Sequence, residues 1–472
     1  MDGRQEQYPD DALPGTRGIE FGRFAVERTV DNRRSRQADT LSRKRAPAGT
    51  RERLIDAIAQ VAGRAGYART TVADVIAAAG ASRSTFYEQF ADRDACLLAA
   101  LERIGEQTAD EVRLALLADP AHDPARGAVG ALLRFAEQHP EPARLLFVES
   151  LGAGARALAA RDGLVDQIAG LIEAARAERG GDGTALDVPA LGLIGGVFRL
   201  LSMRLPGGEA ALHGLADDLL AWVDSYAAGG PPLHWHDGAS LGAIELRPAP
   251  EPAPLPPRAP LPRGRHKLSA AEIARSQRER IMQALARESY EHGYANITVT
   301  DVVKAAGISR NVFYEQFSDK QQAAIAALRQ TFEHAMVATA SSFFAGEDWP
   351  ERIWRMGGAL TEHYYAHPVE AHLSFVELHA IGGDGVQLAH ERLNVFTLLL
   401  EEGYRRRPPT APLPRTTSEA LVATVLELGY RQAPRPGVEM YPVLLAQQTY
   451  MCLAPFIGPR EASELVRGWV GQ

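Results

Sequence analysis

Two short polar stretches of this sequence carry side chains that can form hydrogen bonds with the edges of DNA bases. Residues 83–85 read RST and residues 310–312 read RNV, and each stretch is followed directly by the pentapeptide FYEQF. An arginine can bridge O6 and N7 of guanine, an asparagine can pair with adenine, and a threonine methyl group can contact the methyl group of thymine. These residue types predict two base-reading segments that differ in their second and third residues.

The residues before the first stretch predict the helices that position it. Thr71 can cap a helix, and Asp74 three residues later can complete a capping box. Gly80 can adopt the left-handed conformation that ends a helix. Ser82 can then cap the next helix after only a short turn. The pattern therefore predicts two short helices joined by a tight glycine turn.

The second of these helices has an apolar side and a polar side. Phe86 and Phe90 are four residues apart, so they share one face, which we expect to point inward. Residues 83–85 and Tyr87 lie on the other side, where the free N–H groups of the helix start favour phosphate and Tyr87 can donate to a phosphate oxygen. This is the geometry of a helix-turn-helix motif, whose second helix enters the major groove by its N-terminal end.

The motif belongs to a larger unit that occurs twice. Residues 71–92 align without a gap with residues 298–319, at an offset of 298 − 71 = 227. Further on, residues 139–150 (HPEPARLLFVES) resemble residues 367–378 (HPVEAHLSFVEL), at an offset of 367 − 139 = 228. The duplicated unit is therefore about 200 residues long, which is within the usual size range of a domain.

Both copies resemble the TetR family of bacterial transcriptional regulators. The family pattern is like T-x-x-D-[IV]-x-x-x-A-G-[VA]-S-[KR]-x-x-[FL]-Y-x-x-F-x-[DN]-[KR]. In the first copy it is matched by Thr71, Asp74, Ala79, Gly80, Ser82, Arg83, Phe86, Tyr87, Phe90, Asp92 and Arg93. In the second copy it is matched by Thr298, Asp301, Ala306, Gly307, Ser309, Arg310, Phe313, Tyr314, Phe317, Asp319 and Lys320. The chain departs from the family pattern because it carries two complete units.

Residue chemistry and the resemblance together predict which side chains contact a double-stranded DNA operator. In the first unit they are Thr71, Ser82, Arg83, Ser84, Thr85, Tyr87 and Arg93, and in the second they are Thr298, Ser309, Arg310, Asn311, Val312, Tyr314 and Lys320. The resemblance also implies a pocket for a small-molecule effector in the later helices of a unit. Candidate lining residues are Phe147, Glu149, Tyr364, Tyr365, Phe375 and Glu377. For each aromatic residue alone, packing in the core is the more common role.

The chain divides into six predicted segments of an all-α protein with two tandem units. Residues 49–95 and 263–322 form the helix-turn-helix domains, and residues 96–228 and 323–472 form helical regulatory and dimerisation domains. Residues 1–48 are polar, without periodicity and basic at their end, which predicts a disordered tail. Residues 229–262 contain RPAPEPAPLPPRAPLP, which cannot form a helix and predicts a stiff polyproline II linker.

Basic residues precede both motifs, and they could reach DNA phosphates or remain solvated. They are Arg33, Arg34, Arg36, Arg43, Lys44, Arg45, Arg51 and Arg53 before the first motif, and Arg258, Arg263, Arg265, His266, Lys267, Arg278 and Arg280 before the second.

Late apolar stripes in each unit could pair the two units within one chain, as an intrachain pseudo-dimer, or serve the core of their own unit. The first unit has Leu191, Ile194, Phe198, Leu201 and Leu205, followed by Leu215, Leu219, Trp222 and Tyr226. The second has Leu421, Val422, Val425 and Leu428, followed by Tyr441, Leu444, Leu445, Gln448 and Met451. Further homodimerisation of whole chains stays open.

Composition and missing motifs exclude several other classes of protein. The net charge is −8, so any contact with nucleic acid needs a local basic patch. Two cysteines, an apolar-poor start and the lack of a long apolar stretch predict a cytoplasmic protein without a membrane span. His363 and His367 have a zinc-compatible spacing, but Pro368 indicates a helix end instead. The sequence lacks a nucleophile elbow, a P-loop and an HExxH motif, so neither an enzyme nor a cofactor is expected.

The sequence therefore predicts a transcriptional regulator, most simply a repressor, that reads two unlike half-sites and is released by a small-molecule effector. The alternative is a DNA-architectural or protein-interaction protein in which only one of the two helix-turn-helix motifs contacts DNA.

Overall fold

The computed structural model describes residues 49–119, 121–179, 188–227, 269–407, 412–432 and 444–470. Throughout these ranges the regular structure is helical, and they contain no β-strand, which confirms the all-α prediction. The predicted tail (residues 1–48) and linker (residues 229–262) lie outside the described residues. So do Tyr441 and the basic residues Arg263, Arg265, His266 and Lys267.

Two series of helices repeat the same order. The first unit contains α1 (Thr50–Ala65), α2 (Val72–Ala79), α3 (Arg83–Gln89), α4 (Arg93–Ala118), α5 (Pro124–Gln138), α6 (Pro140–Arg144), α7 (Ser150–Gly152), α8 (Ala155–Glu178), α9 (Ala190–Arg204), α10 (Glu209–Leu212) and α11 (Leu215–Asp224). The second contains α12 (Ala270–His292), α13 (Val299–Ala306), α14 (Arg310–Gln316), α15 (Lys320–Phe344), α16 (Trp349–Ala366), α17 (Pro368–His372), α18 (Gly383–Arg406), α19 (Thr416–Gln432), α20 (Leu444–Ile457) and α21 (Pro459–Val470).

The local sequence explains where these helices start and stop. Asp92 accepts a hydrogen bond from the Ala95 N–H at the start of α4, and Asp319 accepts one from Gln322 at the start of α15. Prolines occupy the first turn of α5, α6, α16 and α17, where a missing N–H removes no helical hydrogen bond. His367 lies between α16 and α17, so the His-Pro pattern marks a helix end, as the sequence indicates.

Both units contain one π-helical turn at the same place. The turns span Leu145–Glu149 and Leu373–Glu377, an offset of 373 − 145 = 228. The same offset relates the first residues of α8 and α18 (383 − 155) and the last residues of α9 and α19 (432 − 204). From the π-helical turns to the ends of α9 and α19, positions in the two bodies therefore correspond at a constant offset of 228.

The two units pack against each other mainly through α9 and α19, with α11 also contacting α19. The Tyr226 hydroxyl donates to the backbone oxygen of Met451 over 2.9 Å, which joins the end of the first unit to α20. The face of α9 that meets α19 carries glycines, whereas Phe198 packs on Phe147 of its own unit. The predicted stripe of α9 thus serves partly its own core.

Candidate nucleic-acid interface

Both helix-turn-helix motifs begin with a complete capping box. In α2, Asp74 N donates to Thr71 Oγ1 over 3.2 Å, and Thr71 N donates to Asp74 Oδ2 over 2.8 Å. Thr298 and Asp301 repeat these contacts at 3.4 and 2.8 Å in α13. Hydrogen bonds from the two threonines hold the pKa of each aspartate below its usual value. Both helix starts therefore have the same backbone geometry.

The turn between the two helices depends on a glycine in each unit. Gly80 has φ 60° and ψ 40°, and Gly307 has φ 62° and ψ 41°. This left-handed conformation is unfavourable for residues with a Cβ atom. It lets the chain reverse within two residues, so the next helix starts at the N-cap Ser82 or Ser309.

The first turns of α3 and α14 expose different polar groups on the same frame. Ser82 Oγ accepts from Thr85 N over 3.1 Å and lies 2.8 Å from the hydroxyls of both Ser84 and Thr85. In α14, Ser309 accepts from Val312 N over 3.3 Å, and Asn311 is exposed at the position of Ser84. The first motif presents a hydroxyl cluster and the second presents an amide beside an apolar side chain.

The phenylalanines of the FYEQF repeat anchor these helices on their core side. Phe86 and Phe90 are buried with their ring centres 5.9 Å apart, and Phe313 and Phe317 repeat the pair at 6.0 Å. The guanidinium group of Arg51 lies 5.0 Å above the Phe90 ring. The phenylalanines therefore fix the helix and leave its opposite face free, as the four-residue spacing predicts.

Arginine and tyrosine together form the outer face. Tyr87 and Tyr314 are 47% and 46% exposed, which is unusual for aromatic side chains and leaves their hydroxyls accessible. Arg83 lies 5.8 Å from the Tyr87 ring centre, and Arg310 lies 5.7 Å from that of Tyr314. We call this surface the outer face: Ser82, Arg83, Ser84, Thr85 and Tyr87, with Ser309, Arg310, Asn311, Val312 and Tyr314 in the second unit. All of these residues are exposed except Thr85 and Val312, which are half-buried.

Two of the predicted DNA contacts, Arg93 and Lys320, bond to the backbone of their own motif. The Arg93 guanidinium donates to Thr70 O over 2.5 Å, and the Lys320 ammonium donates to the backbone oxygens of Tyr294 and Ile297, each over 2.8 Å. Both cations also lie 4.1 Å from the ring of the preceding turn tyrosine. The structure thus uses Arg93 and Lys320 to clamp the turn before α2 and α13.

Some predicted basic contacts are also structural. Arg280 donates to the backbone oxygens of Ala306 and Gly307, and Arg278 donates to Gln316 O over 3.0 Å. These arginines brace the second motif from α12. Sequence reasoning missed this role because the contacts join residues that are more than 25 positions apart.

The second unit contains a mostly apolar cavity, partly open to solvent, with about 80 Å³ of space for the centre of a water-sized sphere. Of the six candidate ligand residues, Tyr364 and Phe375 line it. Arg392, which sequence reasoning missed, contributes the one charged side chain among its described lining residues. The remaining candidates, Phe147, Glu149, Tyr365 and Glu377, lie outside this lining.

The corresponding space in the first unit holds an aromatic side chain. Phe198 corresponds to Leu426, a cavity-lining residue (426 − 198 = 228), and it packs edge-on against Phe147 at 4.7 Å. Both rings are completely buried. Glu149 instead accepts a hydrogen bond from Tyr67 N over 2.7 Å and ties the π-helical turn to the first motif.

No helix among the described residues is long and apolar enough to cross a membrane. Within the same ranges, no three histidine, cysteine or acidic side chains cluster closely enough to hold a metal ion. His363 instead lies 3.3 Å from Glu370, and its backbone oxygen contacts His367 Nδ1 at 2.8 Å.

Two braced helix-turn-helix motifs on helical bodies define the chain as a DNA-binding transcriptional regulator. The sequence profile of the bacterial regulatory proteins of the tetR family matches residues 54–100 and again residues 281–327. The chain therefore carries two tandem TetR-like units, and the two matches support a TetR-family regulator. No curated protein matches the chain.

Proposed function

We propose that the chain binds one double-stranded DNA operator as an intrachain pseudo-dimer, with α3 and α14 reading unlike half-sites, and that it acts as a repressor. The observation that carries this proposal is that the two motifs share one backbone geometry but present different side chains on their outer faces. Capping boxes, glycine turns and phenylalanine anchors agree closely between the motifs. The exposed first turns differ at the second and third residues.

The side chains on the outer face support unlike base preferences. Asn311 can pair bidentately with adenine, whereas Ser84 lacks the amide needed for that contact. Val312 offers only apolar contact, for example with a thymine methyl group, whereas Thr85 also carries a hydroxyl. Arg83 and Arg310 can each bridge a guanine, so the two half-sites share one base preference and differ beside it.

Selection of bound DNA from a random pool, followed by footprinting, tests this proposal. We expect an asymmetric site with two half-sites. Arg83→Ala and Arg310→Ala should each weaken binding by about 1–3 kcal/mol and relax base preference in one half-site only. Arg460→Ala is the matched control, because Arg460 is an exposed arginine remote from both motifs.

A selected site that is a perfect palindrome contradicts unlike half-sites. If one of the two arginine substitutions leaves binding and base preference unchanged, only one motif reads DNA. That result favours the alternative of an architectural or protein-interaction role with a single reader.

We further propose that a small-molecule effector binds in the cavity of the second unit. Arg392 is 4% exposed, and its guanidinium donates to the backbone oxygens of Leu328 (2.6 Å) and Ser374 (3.3 Å). No carboxylate of the described residues lies within ion-pair distance of it. A buried cation without a carboxylate partner favours an anionic ligand, so we expect an apolar carboxylate with its charged end at Arg392.

Helix α19 supports a route from the cavity to the operator. Val422, Val425 and Leu426 face the cavity, while Thr424 and Glu427 of the same helix contact the first unit. A ligand that shifts α19 therefore changes how the units pack, and with it the relative placement of α3 and α14. Release of DNA would follow as a shift between two populations.

Binding of a panel of aromatic and fatty carboxylates, measured by calorimetry and by DNA release, tests the effector proposal. Matched neutral amides serve as ligand controls. Arg392→Leu places the residue of the equivalent first-unit position, Leu164 (392 − 164 = 228), in the cavity and should abolish the preference for carboxylates. Equal binding of acids and amides by the unaltered protein contradicts the anionic assignment but leaves DNA reading intact.

A further inference from the structure

A buried cluster of charges joins the two units at the centre of their interface. Arg161 on α8 forms two hydrogen bonds with the Glu427 carboxylate on α19, over 2.6 and 3.0 Å. Arg199 on α9 donates to the same carboxylate over 3.1 Å and also to the ring of His379. Arg161, Arg199 and Glu427 are 1%, 3% and 0% exposed. Two arginines of one unit thus enclose one glutamate of the other.

The charges lie at equivalent positions with opposite sign. Arg199 and Glu427 correspond to each other, since 427 − 199 = 228, and α9 and α19 are the two helices that pack together. Arg161 corresponds to Ala389 (389 − 161 = 228), so the second unit has no cation at that place. Across the interface, the first unit thus contributes the cations Arg161 and Arg199 and the second contributes Glu427. Arg431, one turn further along α19, also donates to Glu427 over 3.3 Å.

Side-chain size at the interface is complementary in the same way. A Cβ atom on Gly196 would lie 2.1 Å from Thr424 Oγ1, and one on Gly195 would lie 2.6 Å from Glu427 Cγ. The equivalents of Gly195 and Gly196 are Ala423 and Thr424, again at an offset of 228. Helix α9 therefore has small residues at the contact, and α19 fills the space above them with larger side chains.

Polar contacts beside the cluster also join unlike residues, here with the acidic side chains on the first unit and the donors on the second. Tyr430 donates to Asp162 over 2.5 Å, and Arg431 donates to Asp166 and to the backbone oxygen of Asp162. Their counterparts are Ser202 for Tyr430 and Met203 for Arg431, neither of which could make these contacts. Each edge contact thus needs one residue from each kind of unit.

Like units would lose this complementarity. Two first units would bring two copies of Arg199 together without Glu427, and would leave a gap between facing glycines. Two second units would bury two copies of Glu427, each with only Arg431 of its own helix in place of Arg161 and Arg199, and would press Thr424 against Thr424. Buried charges without partners and overpacked cores both destabilise an interface strongly.

We propose that the facing surfaces of α9 and α19 form a pairing code. By this we mean that a first unit packs against a second unit but not against another first unit. The occupant is the second unit of the same chain. The code keeps unlike recognition helices together, because a like pair would present two identical readers. It rests on the packing of the units and stands whether or not either motif binds DNA.

Charge reversal in the full chain tests the code. Arg199→Glu and Glu427→Arg each place like charges at the centre of the interface. We expect hydrogen exchange in α9 and α19 to increase by at least about tenfold in each single variant. The double variant Arg199→Glu/Glu427→Arg should recover most of that protection, because opposite charges face each other again. Glu464→Arg, on the exposed surface of α21, is the control.

Mixing the two single variants provides an independent readout that does not depend on the stability of either. Across two chains, the two substituted side chains would meet as an opposite-charge pair at one interface, and the native Arg199–Glu427 pair would form at the other. Native mass spectrometry should show a one-to-one complex that neither variant forms alone. Single variants with wild-type protection, or a double variant as unprotected as the singles and no mixed complex, overturn the code.

Discussion

The two units share the geometry of their helix-turn-helix motifs and differ in the helical domains that follow. Their capping boxes, glycine conformations and phenylalanine anchors agree to within a few degrees and tenths of an ångström. In the bodies, Phe198 fills the space beside Phe147, whereas its counterpart Leu426 and the residue Phe375 line a cavity. At the interface, Arg199 faces its own counterpart Glu427.

The likenesses and differences between the units fall into three parts of the structure: the motifs, the cores and the interface. The matching geometry of the two motifs presents two recognition helices in the same way. The cores differ, and the described cavity with a buried cation lies in the second unit. The unlike faces of α9 and α19 hold the units together. Substitutions that move a residue from one unit to the other therefore test each part separately.

The largest effect is expected at the charged cluster. Glu427→Ala leaves Arg199 buried without a carboxylate and Arg161 with Asp162 alone, and should lower the free energy of unfolding by about 3–5 kcal/mol. Arg199→Ala should cost less, because Arg161 still pairs with Glu427. Urea unfolding followed by circular dichroism measures both. Equal losses from the two substitutions would contradict the central place of Glu427.

The same cluster predicts a dependence on pH. Burial alone would raise the pKa of Glu427, but the positive charges of Arg161 and Arg199 outweigh burial and lower it from 4.5 to about 2. A depressed pKa adds stability that is present above pH 4.5 and is lost as the pH falls towards 2. Glu427→Ala should therefore flatten the fall in unfolding midpoint over this range, and an unchanged slope would count against the ion pairs.

Exchanging the residues that differ between the cores should have opposite effects on stability. Phe198→Leu opens space in the first unit and should cost about 1–3 kcal/mol. Leu426→Phe fills part of the cavity, and should stabilise the chain by about 0.5–2 kcal/mol while it blocks ligand binding. Thermal unfolding and calorimetry measure these changes. If both substitutions destabilise the chain equally, the space around Leu426 is not a usable cavity.

The glycine turns should respond unequally although their dihedral angles agree. Gly80→Ala places a methyl group where no atom lies within 4 Å, so only the left-handed conformation opposes it, at about 1–2 kcal/mol. Gly307→Ala also meets the Arg280 guanidinium at 3.0 Å, which donates to the turn carbonyls. Hydrogen exchange in α2 and α13 should show the larger loss of protection in the second motif. A larger loss in the first would refute the bracing role of Arg280.

The smallest effect is expected at the exposed capping boxes. The pKa values of Asp74 and Asp301 are lowered by their threonine partners, so the caps contribute above the usual aspartate pKa and weaken as the pH falls below it. Asp74→Ala should remove this low-pH response from the first motif alone. Exchange rates in α13 of the same variant are the internal control, and a loss of the response in both motifs would mean that the caps are not its source.

The helix-turn-helix motifs could be predicted from the sequence because every determinant lies within about 20 residues. The Thr71 cap, the Gly80 turn and the Phe86 and Phe90 face are local properties that hold in any surroundings. Arg93 and Lys320 were predicted as DNA contacts from pattern alone. Their clamping of the turn carbonyls became visible only in three dimensions, because a cation in a motif can bond inward as readily as outward.

The duplication, the all-α class, the two helix-turn-helix motifs and the residues that distinguish them could all be predicted from the sequence. They follow from short-range spacing and from direct comparison of the two copies. Tertiary structure alone decided which unit has a described cavity and which charges meet between units. Arg161 and Glu427 are 266 residues apart, and no periodicity connects them. Their pairing depends on how closely α9 and α19 approach each other. Gly195 and Gly196 allow that close approach, and they matter only because α19 packs against them.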